Sequence, residues 1–270
     1  MSEYIRIERP LPHIIEIVLN RPDKLNAINA DFITQLSIAL SDIPRDPEAR
    51  VIILRGEGRA FSVGADVTRA TAPGETYGAA KSAADDYARL DNRAKELFLA
   101  VWNCPLPIIA QVHGYCMGMS TIFMLCCDLV YCAEDAVIGW PTLPLGGGMI
   151  APVWSHLVGP HRAKEMSFLI GSRLSGAEVA EWGVANCAVP TEALSDTVKG
   201  VATRIARLTP DLLRVKKAAI NHEMTRNGFE EALRLGPVWD AVAHDTDVTR
   251  QTVKEIAELG LGEALTKWRA

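Results

Sequence analysis

VIILRGEGRAFSVGAD, residues 51–66, passes from an apolar, β-branched run into a glycine-punctuated loop that heads toward a helix. Val51 to Leu54 reads as a buried strand, because a strand covered on both faces needs a continuous apolar run rather than alternation. A second stretch has the same grammar: Leu106 to Val112 is strand-like, Gly114 and Gly118 punctuate HGYCMGMS, and Ile122 to Cys127 continues as a buried helix. Gly64 and Gly118 let the backbone turn sharply. The N–H groups of Val63 and Met119 are then expected to point into one cleft, Met119 at a helix N-terminus where unpaired donors favour negative charge. Two donors aimed at one carbonyl oxygen stabilise an enolate or a tetrahedral oxyanion. On spacing alone, ordinary turn glycines would look the same. Neither loop is a nucleotide fingerprint, since GYCMGMS lacks the full GxGxxG and no phosphate loop follows.

Working outward, HIIEIVL at 13–19 reads as a strand ended by Asn20, Arg21 and Pro22. Ile28 to Leu40 has helical periodicity, with Phe32, Ile33, Leu36 and Leu40 on one side and Asn29 as the cap. Residues 67–80 are small and polar and read as a mobile segment near a site. Asp85 to Val101 is helical. Leu129 to Ala133 and Ala136 to Ile138 are short strands, and Pro141, Pro144 and the glycines at 146–148 make a second special loop. After Gly159 the pattern is mostly helical, with a last short strand within Val184 to Val189. The order gives an α/β core over 1–200 and a helical region over 201–270. Gly228 to Ala270 is amphipathic enough to expect burial against the core or a partner subunit.

The chain has 270 residues, 49 % apolar and 23 % charged, with a formal net charge of -5. That is the composition of a soluble globular protein, and the charge disfavours nucleic acid as a partner. The N-terminus lacks a signal-like apolar run. The most apolar region, Val101 to Ala133, is broken by Pro105, Pro107, His113 and Asp128, so no membrane span is expected. Six cysteines without a CxxC pair read as buried thiols in a reducing compartment, with no metal site; a cytoplasmic location is expected.

Five ordered blocks carry a resemblance to the crotonase superfamily, the enoyl-CoA hydratase/isomerase family. They are NRPDKLNAIN at 20–29, VIILRGEGRAFSVGAD at 51–66, PIIAQVHGYCMGM at 107–119, CDLVYCAEDAVIGWP at 127–141 and LVGPHRAKEMSFLIGSRLSGAEVAEWGVANCAVP at 157–190. The resemblance implies a spiral of ββα units and a helical C-terminal trimerisation region, trimers pairing into hexamers. It implies an acyl-CoA thioester as ligand, with no cofactor beyond the coenzyme A of the substrate. It places the Val63 and Met119 amides on the thioester oxygen, Lys24, Leu25, Asn26 and Ala27 beside the CoA moiety, Ala65 and Asp66 at the same entrance, and Lys217 near a CoA phosphate. Surface charge and turn packing are the plainer readings of the lysines, and helix capping that of Asp66.

The sequence departs from the family where chemistry is done. The two glutamates of typical hydratases align with Ile122 and Thr142, and the acid that other members carry near 150 aligns with Ile150. Isoleucine transfers no proton, and a neutral threonine is a poor base. The candidate replacement groups are Asp66, His113, Tyr115, Cys116, His156 and the pair Asp240 and His244, one helical turn apart. Trp140 and Trp154 read as pocket walls for a cyclic or aromatic acyl group, or as core. The expected activity is hydro-lyase chemistry with an unidentified proton-transfer group. Isomerisation, carbon–carbon bond hydrolysis on a cyclic or branched acyl-CoA, and acyl-CoA binding without catalysis are the alternatives.

Overall fold

A computed structural model describes residues 3–67, 82–140, 144–146 and 150–268. Strands β1 (Ile5–Leu11) and β2 (Ile14–Leu19) form an antiparallel pair, and helix α1 (Ala30–Asp42) follows the loop after β2. Three units then repeat one order. Strand β3 (Val51–Gly56) is followed by β4 (Ala60–Ser62) and, after residues outside the description, by α2 (Ala83–Arg93). A π-helical turn over Ala94–Leu99 joins α2 to α3 (Ala100–Trp102). Next come β5 (Ile108–Val112), β6 (Tyr115–Met117) and α4 (Met119–Leu125), and then β7 (Leu129–Ala133), β8 (Val137–Gly139) and α5 (Ile150–Phe168), which breaks at Gly159–Pro160.

The first strand of each unit enters a six-stranded sheet of order β1-β2-β3-β5-β7-β10, and the second enters a four-stranded sheet of order β4-β6-β8-β9. Strands β9 (Arg173–Ser175) and β10 (Cys187–Val189) flank α6 (Gly176–Glu181). From β2 to β10 the large sheet is parallel. This is the ββα spiral that the resemblance implied. Helices α7 (Thr191–Ile205), α8 (Pro210–Arg226), α9 (Phe229–His244), α10 (Asp247–Leu259) and α11 (Leu261–Lys267) complete the chain.

The large sheet forms from the runs that alternate least. Every residue of β2 and β5 is buried, as covered parallel strands require. Each Ile or Leu so buried contributes about 1.5–3 kcal/mol. Asn29 caps α1 as expected, its side chain accepting from Phe32 N. The three-residue strands β4, β6 and β9 were not foreseen: each lies at a loop edge, too short to show a period. They position the site, because the small sheet brings the chain after β4 beside the start of α4. No helix among the described residues is long and apolar enough to cross a membrane.

Candidate active site

The loop after β2 is set by two left-handed residues in succession, Leu25 (φ 50°) and Asn26 (φ 55°). Non-glycine residues there cost about 1–3 kcal/mol each and persist only when their surroundings hold them. The buried Asn26 amide does so. It accepts from Arg21 N at 2.8 Å and donates to Glu57 O at 2.9 Å and Ala60 O at 2.8 Å. Arg21 adds bonds to Ala27 O at 3.0 Å and the Asp66 carboxylate at 2.6 Å. The loop is thereby clamped onto residues 57–66, and the Leu25 carbonyl faces the main chain at Val63.

That contact corrects one expectation. Val63 N–H donates to Leu25 O at 3.1 Å, so it is consumed inside the protein. Two residues on, the geometry differs. Ala65 forms an isolated parallel bridge with Ile28, in which Ile28 N donates to Gly64 O (2.8 Å) and Asp66 N donates to Ile28 O (3.0 Å). Successive N–H groups of extended backbone alternate in direction, so Ala65 N–H points away from Ile28. Met119, the first residue of α4, carries one of the N–H groups that a helix leaves without an internal partner. Neither amide has a backbone or side-chain acceptor among the described residues.

The two loops are in close contact. Gly64 has φ +82°, and a Cβ there would lie 2.5 Å from Met117 O and 3.0 Å from Met119 N. Only glycine allows this approach. Ser62 Oγ accepts from Gly64 N at 3.1 Å and donates to Asn26 O at 2.8 Å, while Ser120 Oγ lies 2.7 Å from Ser62 O. Trp154 Nε1 donates to Thr121 Oγ1 at 3.2 Å, which donates to Gly118 O at 2.8 Å, bracing the first turn of α4.

These segments border a cleft of about 540 Å³. It brings together Lys24, Leu25, Ala27, Val63, Ala65, Asp66, Tyr115 and Met119, and adds Met117, Leu145, Leu261 and Leu265, which sequence reading did not place there. Exposed Lys24, Arg59 and Arg173 give one cleft three cations from three separate segments of the chain. Arg59 sits in the quoted RGEGRAFS, where its position just before β4 was the available signal. Arg173 carried none.

Several expected site residues go elsewhere. The Asp66 side chain is 2 % exposed and paired with Arg21, which does not suit a free base. Trp140 is buried edge-on against Trp154, with centroids 5.8 Å apart, and does not border this cleft; both tryptophans are core. Lys217 is buried in an ion pair with Asp128 at 2.7 Å and lines a different cleft of about 410 Å³. Its ammonium therefore holds α8 to the strand that begins at Ile108, whose N–H also binds Asp128 at 2.7 Å. Thr142 and most of residues 67–80 lie outside the described residues, as do 147–149.

The other candidates sort as clearly. Ile122 is buried in α4. Burial pushes the Cys116 thiol up to about 12, and its polar neighbours are Ser120 and Met124 rather than a base, so it is no nucleophile. His113 Nε2 bonds to Gly58 O at 2.8 Å, and the His156 ring packs edge-on against Phe229. Asp240 and His244 do share a buried helix face, joined by Asp86 from α2. Among the described residues no cluster of metal-ligating side chains is found.

A spiral of ββα units followed by a helical C-terminal region, with a cation-rimmed cleft where two loops meet, defines a crotonase-like fold. The profile of the family described as Enoyl-CoA hydratase/isomerase matches residues 12–231, and the chain belongs to that family of enzymes. It is similar to a structure from Novosphingobium aromaticivorans DSM 12444 named for enoyl-CoA hydratase/isomerase, at TM-score 0.91 and 33 % identity over 98 % of this chain and 95 % of that one. It is 31 % identical to the mevalonyl-coenzyme A hydratase sidH of Aspergillus fumigatus, covering 83 % of this chain and 80 % of that protein. A third relative is the (7aS)-7a-methyl-1,5-dioxo-2,3,5,6,7,7a-hexahydro-1H-indene-carboxyl-CoA hydrolase of Rhodococcus jostii, 29 % identical over 73 % of each chain.

Proposed function

We propose that the chain binds an acyl-CoA thioester with its C1 oxygen on the Ala65 and Met119 amides and catalyses hydratase/isomerase-type chemistry through an enolate. The observation that carries this reading is the pair of amides at the contact of two loops, each without an acceptor among the described residues. Charge that develops on the thioester oxygen is stabilised there by preorganised donors that need no reorganisation. Lys24, Arg59 and Arg173 attract the phosphates of CoA, Leu25 and Ala27 line the path of its pantetheine, and Met119 narrows the acyl end. Hydration and double-bond migration share the enolate, so the site serves either. The chain works as a homotrimer or a dimer of trimers, in keeping with the exposed apolar side chains of Val215 and Ile220 on α8 and Trp239 and Val242 on α9.

Calorimetric titration with 3-butenoyl-CoA and with free CoA tests the binding half. Binding is expected to weaken as salt rises, because exposed charge pairs are screened. Lys24→Ala and Arg59→Ala should each cost a few-fold in affinity, as exposed ion pairs are worth about 0.2–1 kcal/mol. Affinity indifferent to salt and to both substitutions would remove the CoA assignment of this cleft.

A second reading, hydrolysis of a ring carbon–carbon bond, is favoured by the Rhodococcus relative, whose name specifies a hydrolase, together with Ile122 and Thr142 in place of glutamates. Incorporation of one labelled water oxygen into a ring-opened product from a cyclic keto-acyl-CoA would establish it.

A further inference from the structure

The cleft that holds Ala65 and Met119 has two unlike ends. At one, a Cβ on Gly58 would lie 2.8 Å from Pro22 Cβ, so the turn that bears Lys24 rests against the turn that bears Arg59. Ala60 pairs with Tyr115, and β4 runs parallel to β6. Two stretches of chain therefore leave this cationic end side by side. One runs from Arg59 toward Ala65, the other from Tyr115 through Met117 to Met119. They meet at Gly64, next to both amides. Arg173 flanks the track, level with Met117 across Gly139.

Past the amides the lining changes character. Val67 belongs to a small apolar cluster, separate from the main core, that joins Leu145 to Ile256 of α10 and to Leu261, Ala264 and Leu265 of α11. Val67, Leu145, Leu261 and Leu265 also line the cleft. Two residues of chain span at most about 7 Å, so Val67 lies within that distance of Ala65. Leu261 and Leu265 are one turn apart and share a face of α11. Both are half-buried, partly in the cluster and partly at the cleft. Ala264 is fully buried beside them, and so small a side chain lets the helix sit close. Gly260, with φ +83°, turns the chain back from α10, and Lys267 Nζ donates to Glu255 Oε1 at 2.5 Å to fasten α11 in place. Thr249 Oγ1 donates to Pro144 O at 3.3 Å and ties the segment of Leu145 to α10.

We infer that Leu261 and Leu265 are specificity-determining residues: with Val67 and Leu145 they form the wall that the acyl chain meets beyond C3, and that wall selects plain hydrocarbon. The inference rests on the acyl-CoA reading above. With the phosphates at Lys24 and Arg59 and the C1 oxygen on the Ala65 and Met119 amides, the order along the track leaves the far end to the acyl group. All four side chains of the wall are aliphatic, and none donates or accepts a hydrogen bond. A hydroxyl or carboxylate carried there loses its water and gains no partner from them, which costs binding. Each methylene buried there adds to binding instead. Leucines that only packed α11 onto α10, or that touched only the pantetheine, would act alike on every acyl-CoA and on free CoA.

The test is calorimetric titration of the full chain with free CoA, with butanoyl-, octanoyl- and decanoyl-CoA, and with suberoyl-CoA, which ends an octanoyl-length chain in a carboxylate. Each affinity is divided by that of free CoA, which removes effects on the nucleotide and pantetheine. Octanoyl-CoA should bind at least ~10-fold more tightly than butanoyl-CoA, from the worth of the extra buried methylenes. Suberoyl-CoA should bind at least ~10-fold more weakly than octanoyl-CoA. Leu265→Ala opens the wall and Leu265→Trp fills it, so chain-length preference should move in opposite directions. The decanoyl-to-octanoyl ratio should rise about 3-fold in the first, and the octanoyl-to-butanoyl ratio should fall about 10-fold in the second. A general disturbance of α11 would move both variants the same way. Thermal unfolding shows which variants are folded, and Leu261→Ala with Leu261→Phe repeats the comparison if a Leu265 variant is not. Equal wild-type affinity for butanoyl- and octanoyl-CoA, suberoyl-CoA bound as tightly as octanoyl-CoA, or folded variants that keep the wild-type preference or shift it together, overturn the inference. A wild-type protein that binds neither free CoA nor any acyl-CoA overturns the function proposed above instead.

Discussion

Replacing a single amide by an ester at 63 or at 65 separates the two possible donors. Lactic acid in place of Ala65 substitutes an oxygen for the N–H and leaves the side chain unchanged. One oxyanion donor is worth about 2.7–4 kcal/mol, so the rate with 3-butenoyl-CoA should fall roughly 10²–10³-fold. The same change turns the Gly64 carbonyl into a weaker ester acceptor for Ile28 N, now bonded at 2.8 Å. That should lower stability by no more than about 0.5–1.5 kcal/mol. At Val63 the balance reverses. Its N–H binds Leu25 O at 3.1 Å, and the carbonyl of Ser62, which would become the ester, accepts from Ser120 Oγ at 2.7 Å. Hydroxyisovaleric acid at 63 should therefore cost roughly 1–3 kcal/mol of stability, for the stranded Leu25 carbonyl, with a rate loss under about 10-fold. Urea unfolding reads the first quantity, and the rate of crotonyl-CoA appearance reads the second. A greater rate loss at 63 than at 65 would return Val63 to the oxyanion and refute the assignment.

Asn26→Ala removes three buried hydrogen bonds at a strained turn and should cost about 4 kcal/mol in urea unfolding, near the upper end for a single change. Lys217→Ala strands the Asp128 carboxylate and should cost about 2–4 kcal/mol, below the range for a fully buried pair because Asp128 is partly exposed; acyl-CoA affinity measured by calorimetry should be unchanged. The Asp86 carboxyl is held below its ordinary value, so its pairing stabilises the fold above the usual aspartate range, and that stability is lost as pH falls through the depressed value. Asp86→Asn should accordingly flatten the acid limb of stability against pH, measured by thermal unfolding from neutral to strongly acidic solution.

The large sheet was legible because its strands are mostly apolar: β2, β5 and β7 fall within stretches that sequence alone reads as strands, and β3 runs two residues past the run Val51 to Leu54. The small sheet was hidden by its brevity, since three residues fix no period. The donor at 65 was hidden for another reason. Which way an amide points depends on the bridge to Ile28, a tertiary contact, and local spacing placed the donor at Val63 instead. Lys217 and Trp140 were misplaced because their partners, Asp128 and Trp154, are distant or ambiguous in sequence. The spacing of Asp240 and His244 was readable on one helix, but the carboxylate that orients the ring comes from α2. Family resemblance supplied the order of the blocks and the nature of the ligand, whereas hydrogen-bond direction came only from the coordinates.

The contact between the loop at Gly64 and the start of α4 has a consequence for how such a site can change. Its donors, at Ala65 and Met119, belong to the main chain, so no ordinary amino-acid exchange except proline deletes either one. They are lost when the chain is rerouted, as a side chain at Gly64 would force. The proton-moving groups are side chains, and one codon replaces any of them. Under the proposed function, the half of the site that holds the thioester is thus buffered against point mutation, and the half that selects the reaction is free to be rewritten around it.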